Sequence, residues 1–283
     1  MRINNKKPLK ITLMLAFTFI FMTGCEQVVE DPQLPYHEQI VISAVLEPGK
    51  TSPKISITKT LPPLEDYDIE KATIYDAEAV ITCNGVSYLL LIGTDKFYTS
   101  PDLTIESGKK YSLIVKWKNK SAITETVVPY PVKIDTSYYK FIKERRHNHT
   151  EQYLSMFVGF KPEGNSVYVG FHYQYLDDSS KKISYKYSHS DCLRSMDTNS
   201  KGSLTLNFKI YYYGDTTNFK PNSYEDYVIE CYDAPYFQYY QTRYNGGEPN
   251  ELFGTSGSNI IGNVKGDGIG LFIGRAKTIL KFD

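Results

Sequence analysis

The chain has 283 residues, 41% of them hydrophobic, with 32 basic and 32 acidic side chains, so its formal net charge is zero. This balance excludes the strongly basic surface that nucleic-acid binding requires, and the length allows one large or two ordinary domains. Tyrosine stands out, with 25 residues against one tryptophan. That composition favours a β-rich protein with half-buried rings, and an aromatic surface for sugar, peptide or protein is the alternative.

The first 24 residues predict a lipoprotein signal peptide. Four basic side chains and no acidic one lie in the first ten residues, and a 12-residue apolar run from Ile11 to Met22 follows. That run is too short to cross a bilayer, which takes about 20 residues, so it is typical of a secretory signal. It ends in Met22-Thr23-Gly24-Cys25, which resembles the lipobox of bacterial lipoproteins, in which the cysteine thiol accepts a diacylglyceryl group and the chain is cut before it. We therefore predict lipidation at Cys25; the alternative is an ordinary signal peptide with an incidental cysteine.

Residues 25–38 predict a tether, because they are polar and show no helical periodicity. Two or more acyl chains anchor a protein stably at a membrane, so we expect Cys25 to hold the chain there. Once residues 1–24 are removed, 28 basic side chains remain against 32 acidic ones, a net charge of −4. This charge offers no attraction for nucleic acid.

Residues 39–131 predict a first β domain. Short runs of β-branched and aromatic residues recur between Gly, Pro, Asn and Asp, which is typical of strands separated by turns. Asn84-Gly85 lies between two such runs and predicts a tight hairpin, because both residues tolerate a positive φ. Six or seven strands in about 95 residues predict an immunoglobulin-like or transthyretin-like β-sandwich, which we expect to end near Pro129 and Pro131.

Residues 132–283 predict a second, mostly β domain with one short helix. The strand candidates are QYLSMFVGF, SVYVGFHYQYL, KISYKYS, SLTLNFKIYYY, DYVIECY and a terminal run that follows a glycine-rich stretch. Asp233 can cap a helix, Pro235 suits its first turn, and the run up to Tyr244 is followed by Asn-Gly-Gly as a stop. The tyrosines of this segment have helical spacing and are expected to face the core. The predicted fold class is therefore all-β, or mainly β.

Three cysteines remain once Cys25 is lipidated. Secreted proteins form disulfides in oxidising compartments, and Cys192 with Cys231 is the preferred pair because both lie in the same half of the chain. Cys83 shares a predicted strand face with Ile81 and is expected to be a small buried apolar residue. The odd number of cysteines leaves the disulfide open.

The remaining motifs carry weak chemical signals. His147 and His149 could form half of a metal site in an extended chain, but the polar run around them favours a solvated loop. Gly266-Asp267-Gly268-Ile269-Gly270 lacks the third glycine and the strand-loop-helix context of a dinucleotide loop, so we expect these glycines to permit a bulge or a close backbone approach. No G-x-S-x-G or H-E-x-x-H motif occurs. We therefore assign no catalytic residue, no metal and no cofactor.

Several segments together resemble the Bacteroidota lipoprotein family described as domain of unknown function 4249. They are VISAVLEPGK, ISITKT, IYDAEAVITCNG, YTSPDLTIESGKKYSLIV, VPYPVKID, YFQYYQTRYN and SNIIGNVKGDGIGLFIG. The resemblance covers nearly the whole mature chain and is diffuse between Phe141 and Tyr232. It implies a lipid-anchored outer-membrane protein, whose exposure at the cell surface is left open. It also implies association with a TonB-dependent transporter, and the family has no established activity.

We therefore expect a non-enzymatic accessory or binding partner of a TonB-dependent transporter, held at the outer membrane through Cys25. One alternative is an adhesin or pilus-like subunit that exchanges its terminal strand, Ile269 to Phe282, between copies. A second alternative is a surface hydrolase of glycan or peptide, which needs a carboxylate pair or a histidine cluster to converge in a cleft.

Overall fold

The computed structural model describes residues 36–146, 149–161, 168–177, 182–187, 194–195, 204–211, 225–244 and 261–280. The first half of the chain contains seven strands and a short helix. They are β1 (Ile40–Leu46), β2 (Ser56–Lys59), α1 (Ile69–Ala72), β3 (Glu78–Cys83), β4 (Val86–Ile92), β5 (Tyr98–Thr99), β6 (Lys110–Trp117) and β7 (Lys120–Val127).

Nine further strands and a longer helix follow in the second half. They are β8 (Lys133–Arg146), β9 (His149–Lys161), β10 (Tyr168–Asp177), β11 (Lys182–Tyr187), β12 (Arg194–Ser195), β13 (Leu204–Tyr211), β14 (Glu225–Tyr232), α2 (Ala234–Tyr244), β15 (Lys265–Gly266) and β16 (Gly268–Leu280). The prediction of a mainly β protein is confirmed.

The strands form three sheets. A seven-stranded sheet has the order β11-β10-β14-β16-β1-β2, with β12 paired to β10. A six-stranded sheet has the order β15-β7-β6-β3-β4-β5, and a three-stranded sheet has the order β13-β9-β8. The pair β1–β16 is parallel, whereas the strands of the six-stranded sheet are antiparallel.

The hydrophobic core lies between the seven-stranded and six-stranded sheets. Alternate residues of a strand point to opposite faces, and in β1 Ile40, Ile42 and Leu46 are fully buried while their neighbours are not. Leu113 and Val115 of β6 belong to the same buried cluster from the opposite sheet. Each such side chain stabilises the fold by about 1.5–3 kcal/mol relative to an exposed position. The two sheets therefore pack face to face, as in a β-sandwich.

The C-terminal segment is hydrogen-bonded into both of these sheets. β15 pairs antiparallel with β7, and one residue later β16 begins and pairs with β1 from Gly268 to Gly274. The rest of β16, from Arg275 to Leu280, pairs antiparallel with β14. Because one segment crosses from one sheet to the other, it closes the sandwich at this corner.

Asp267 fixes the crossing between the sheets. Its backbone N–H donates to the Ser121 carbonyl at 2.8 Å, and its Oδ2 accepts from the Ser121 N–H at 2.9 Å. Its own carbonyl accepts from the N–H of Ile40 at 3.0 Å. One residue thus joins β7 of the six-stranded sheet to β1 of the seven-stranded sheet.

Asn263 substitutes for a neighbouring strand at the same corner. Its Oδ1 accepts from the Phe272 N–H at 2.9 Å, and its Nδ2 donates to the Phe272 carbonyl at 2.6 Å and to the Glu125 carbonyl at 2.9 Å. Its carbonyl accepts from the Thr124 hydroxyl at 3.1 Å. The side-chain amide therefore satisfies backbone groups of β16 before β14 begins to pair with it.

The sequence predictions for the strands and for the longer helix agree closely with the structure. The Asn84-Gly85 hairpin is confirmed, since these residues have φ values of 50° and 80° between β3 and β4. The predicted helix after Asp233 is also confirmed as α2. We did not predict α1, whose four residues are too short to show periodicity and whose N-cap is Asp68, and we did not predict β8.

The division into domains at 39–131 and 132–283 stays a prediction. The strand pairings add that β15 and β16, which we assigned to the second domain, lie in sheets with β7 and β1 of the first. Among the described strands, in contrast, the three-stranded sheet contains β8, β9 and β13, all from the second region.

We predict that Gly270→Ala strongly destabilises the protein. Gly270 has a φ of 127°, and a Cβ there would lie 2.0 Å from the Ile42 carbonyl oxygen. Gly49→Ala is the matched control, because Gly49 also has a positive φ (76°) but no atom within 4 Å of the added Cβ. We expect Gly49→Ala to cost about 1 kcal/mol and Gly270→Ala more than about 3 kcal/mol, measured by urea unfolding. Equal losses in the two variants would contradict the steric argument.

Candidate functional site

A group of charged side chains lies on the outward face of β14 and β16. Opposite pairs in the strand register place Glu230 beside Lys277 and Tyr232 beside Arg275. Glu47, directly after β1, completes the group. We call these five residues the charge cluster. Glu230 is only 3% exposed and Tyr232 only 5%, so two polar groups of the cluster are removed from solvent.

Arg275 lies at the centre of the charge cluster. Its Nε and Nη2 donate to Glu47 Oε1 at 2.8 Å and 2.5 Å, and its Nη1 lies 3.3 Å from Glu230 Oε1. Lys277 Nζ lies 3.0 Å from Glu47 Oε1 and 3.9 Å from Glu230 Oε1. The Tyr232 hydroxyl donates a hydrogen bond to Glu230 Oε2. Two acids therefore share two bases, and the formal charges cancel.

The pKa shifts in the charge cluster follow from burial and from these contacts. Burial acts to raise the pKa of Glu47, but Lys277 and Arg275 outweigh it, and the pKa lies below its usual value. Burial acts to lower the pKa of Arg275, and the carboxylates of Glu230 and Glu47 raise it instead. Burial, together with the neighbouring Glu230 charge, raises the pKa of Tyr232. These shifts favour the charged forms of Glu47 and Arg275 and the neutral form of Tyr232.

This arrangement fixes the strands relative to one another and is poorly suited to acid–base catalysis. General acid–base chemistry uses carboxyl groups whose environments push their pKa values apart, whereas Glu47 and Glu230 are both neutralised by Arg275. A buried ion pair that is broken on one side leaves a charge without compensation. The charge cluster therefore ties β14 and β16 to the end of β1.

Helix α2 begins directly beside the charge cluster. The ring of Tyr236, in its first turn, stacks on Tyr232 at a centroid distance of 3.9 Å. At the other end of α2, the Thr242 hydroxyl accepts from the Ile261 N–H at 3.0 Å. The predicted tyrosine stripe is half-buried at Tyr236, Tyr239 and Tyr240. The helix thus links the charge cluster to the segment that leads into β15.

Asp233 is a buried carboxyl group at the N-terminus of α2. It is 5% exposed; its backbone N–H donates to the Gly274 carbonyl at 3.3 Å, and its Oδ2 accepts from the Thr126 hydroxyl. Its Oδ1 has no hydrogen-bond partner among the described residues. Burial raises the pKa of Asp233 from 3.8 to about 7, although the Thr126 hydroxyl and the backbone groups of Gly274 and Tyr236 act to lower it.

A comparison with models of protein families identifies the family of this chain. The family model described as "Domain of unknown function (DUF4249)" matches residues 28–279. The chain belongs to this family. The family resemblance predicted from the sequence is thereby confirmed, whereas the lipoprotein status and the Bacteroidota origin that it implies stay predictions. A search of curated proteins found no match.

The described part of the segment SNIIGNVKGDGIGLFIG, from Ile261 onward, forms the sheet-crossing corner. Its Asn263 and Asp267 make the hydrogen bonds described above. A Cβ at Gly262 would lie 1.9 Å from the Gly270 carbonyl oxygen. A Cβ at Gly266 would lie 2.5 Å from the Ser121 carbonyl oxygen, and one at Gly270 would lie 2.0 Å from the Ile42 carbonyl oxygen. The prediction that these glycines permit close backbone approach is therefore confirmed.

The cysteine predictions fall only partly on described residues. Cys25 and Cys192 lie outside them, so lipidation and the Cys192–Cys231 disulfide stay predictions. Cys231 is fully buried in β14 and has no disulfide partner among the described residues; burial raises the pKa of its thiol to about 12. Cys83, predicted to be buried, is half-buried and packs against the edge of the core.

The histidines do not form a site in the described part of the chain. His37 is exposed ahead of β1, His149 begins β9 and His172 lies in β10. His147 and His189 lie outside the described residues. Among the described residues, no three His, Cys, Asp or Glu side chains are grouped so that they could hold a metal ion. The same residues contain no helix long and apolar enough to span a bilayer.

Sequence reasoning missed the charge cluster, although a signal was present. Glu230 interrupts the apolar run of β14, and Arg275 and Lys277 alternate along the otherwise apolar β16. Charges at alternate positions of a strand share one face, but their meeting with Glu47 depends on the parallel pairing of β1 with β16.

We predict that Arg275→Met costs about 3–5 kcal/mol in the free energy of unfolding, because Glu230 is left buried without its main partner. Adding Glu230→Gln to Arg275→Met is expected to recover most of this loss. Lys110→Met is the control, since it breaks the exposed Lys110–Glu125 pair (2.7 Å) and should cost less than about 1 kcal/mol. Urea unfolding measures these three variants and the single variant Glu230→Gln. A loss in the double variant equal to the sum of the two single losses would contradict the coupling.

We predict that Asp233→Asn reduces the pH dependence of stability. The pKa of Asp233 is about 7 in the folded protein and has its ordinary value of 3.8 in the unfolded chain. The free energy of unfolding therefore falls as the pH rises from about 4 to about 7, by up to about 4 kcal/mol. Asparagine has no proton to lose and still caps a helix.

The measurement compares urea midpoints of the wild type and Asp233→Asn at pH 4, 6 and 8. The variant should be more stable than the wild type at pH 8 and lose that advantage at pH 4. Asp102→Asn, on an exposed turn, controls for the change in net charge. If Asp233→Asn keeps the wild-type pH profile, the carboxyl group of Asp233 does not titrate as described.

Proposed function

We propose that the protein is a lipid-anchored outer-membrane lipoprotein that acts, without catalysis, as an accessory or binding partner of a TonB-dependent transporter. The observation that carries the proposal is Met22-Thr23-Gly24-Cys25 after a basic, apolar leader, followed closely by a β-sandwich. Lipidated Cys25 becomes the first residue of the mature chain.

The distance between Cys25 and the sandwich supports this role. Fourteen residues separate Cys25 from Ile40, where β1 begins. A chain of this length spans at most about 50 Å. An anchored sandwich would therefore remain near the membrane surface, within reach of a protein embedded in the same membrane.

The family assignment and the charge cluster support a binding role. The family resemblance implies a transporter partner, and the family model extends over residues 28–279. The acidic and basic groups that converge in the described residues neutralise one another, which suits a scaffold better than a reaction centre.

The two alternatives receive less support. Exchange of the terminal strand in an adhesin would remove β16 from between β1 and β14, with which it pairs along its whole length. A hydrolase needs accessible acid and base groups. The sequence contains the adjacent acids Glu65-Asp66 and Asp177-Asp178, which could serve only if they faced each other in a cleft. Glu65 forms an ion pair with Lys71 at 2.7 Å, and Asp178 lies outside the described residues.

We predict that Cys25→Ser releases the protein from the membrane fraction, because serine has no thiol to accept the diacylglyceryl group. The measurement is the share of protein in the outer-membrane fraction after cell fractionation. Cys83→Ser is the control and should leave that share unchanged. Membrane retention of Cys25→Ser would remove the basis for the anchor.

The transporter role is tested by purifying the natively expressed, C-terminally tagged chain from mildly solubilised outer membrane and identifying co-eluting proteins by mass spectrometry. A TonB-dependent transporter in stoichiometric amount is the expected result, and its recovery should fall with Cys25→Ser. Recovery of the chain alone, under conditions that preserve such complexes, would refute the accessory role while leaving the lipid anchor intact.

A further inference from the structure

The outward face of the six-stranded sheet carries a row of exposed apolar side chains. The row follows one register line across four neighbouring strands, because Leu89 pairs with Val80, Val80 with Ile114, and Ile114 with Ile123. Leu89, Ile114 and Ile123 are 56%, 37% and 46% exposed, and Val80 is half-buried. Single exposed apolar residues are ordinary, whereas a continuous row is typical of an interaction surface. We call these four residues the apolar row.

Complementary pairs border the apolar row on both sides. On β3 and β6, the pair Glu78–Lys116 lies two residues to one side of the Val80–Ile114 pair. The pair Thr82–Ser112 lies two residues to its other side. Glu78 and Lys116 are both exposed. Neither forms an ion pair with another described residue. Their charges are available to a partner that approaches this face.

We propose that the partner of this face is a second copy of the chain, packed through a two-fold axis that runs parallel to the strands between β3 and β6. Such an axis exchanges β3 with β6 and β4 with β7. It therefore sets Val80 against Ile114 of the second copy, and Leu89 against its Ile123. It also sets Glu78 against Lys116 twice, once on each side of the symmetric interface. The face is complementary to itself in charge as well as in polarity.

The size of the face determines the strength of this dimer. Four strands about 4.8 Å apart and five residues at about 3.4 Å each give a face of roughly 20 Å by 17 Å. This is roughly 340 Å² per copy, less than half of the roughly 800 Å² per partner that stable specific interfaces bury, so a complex through this face is weak and transient. Packed sheets are rotated by about 30°, so the pairs next to the axis make the best contacts. The dimer is therefore weak and reversible, with the Glu78–Lys116 contacts deciding its orientation.

The test is sedimentation equilibrium of the mature chain, residues 25–283, carrying Cys25→Ser, so that no leader, lipid or micelle links two copies. The proposal does not depend on the lipid anchor. With an unchanged face, the protein should show a monomer–dimer equilibrium when it is measured at concentrations from about 1 µM to about 200 µM. Glu78→Lys and Lys116→Glu should each weaken the dimer about tenfold or more, because each creates two contacts between like charges.

An equimolar mixture of the two single variants provides the control. In the mixed dimer each introduced charge faces its opposite, so association should return to within about threefold of the wild type. The like-charge contact inside each chain persists in the mixture, so a rescue reports the contact between chains. Melting temperatures of the separate variants show that both are folded. The proposal would be overturned by any one of three results. The protein with an unchanged face could be monomeric, the single variants could associate as well as it does, or the mixture could fail to associate.

Discussion

The fold depends on a single constraint: the segment from Asn263 to Leu280 must satisfy the backbone of two sheets in turn. Unpaired backbone groups in a buried strand are costly, and this segment meets the demand first with β7 and then with β1 and β14. Glycine at 270 allows β16 to approach the Ile42 carbonyl. The Asn263 side chain hydrogen-bonds the Phe272 backbone of β16, ahead of the residues of β16 that pair with β14. The glycine-rich sequence of this segment is thus explained by sheet geometry, without a ligand.

The same segment explains why charged groups are buried at one end of the sandwich. β16 passes from β1 to β14, so the end of β1, the outward face of β14 and helix α2 converge there. Arg275 reaches Glu47 and Glu230 from this position. Buried ion pairs contribute little net stability over apolar packing but strongly penalise arrangements that separate them. Their effect here is to fix β14 relative to β1.

Local patterns in the sequence predicted the parts of the fold that local chemistry determines. The strands of residues 39–131, the Asn84-Gly85 turn and helix α2 all carry such signals. β8 was missed because its end, up to Arg146, is polar; it is a strand because it pairs with β9 along its whole length. The charge cluster was missed because Glu47 and Arg275 are 228 positions apart. Their contact follows from the parallel register of β1 and β16, which no local pattern contains.

The proposed lipid anchor and the proposed dimer through the apolar row are physically consistent with one another. A face of about 20 Å by 17 Å binds weakly when both copies diffuse freely in solution. A lipid at Cys25 would confine the sandwich to within about 50 Å of one surface, and confinement raises the effective concentration of neighbouring copies. A weak, charge-oriented contact through Glu78 and Lys116 could then form at the membrane while remaining reversible. A larger apolar face would associate permanently and would be exposed during export, where such surfaces promote aggregation.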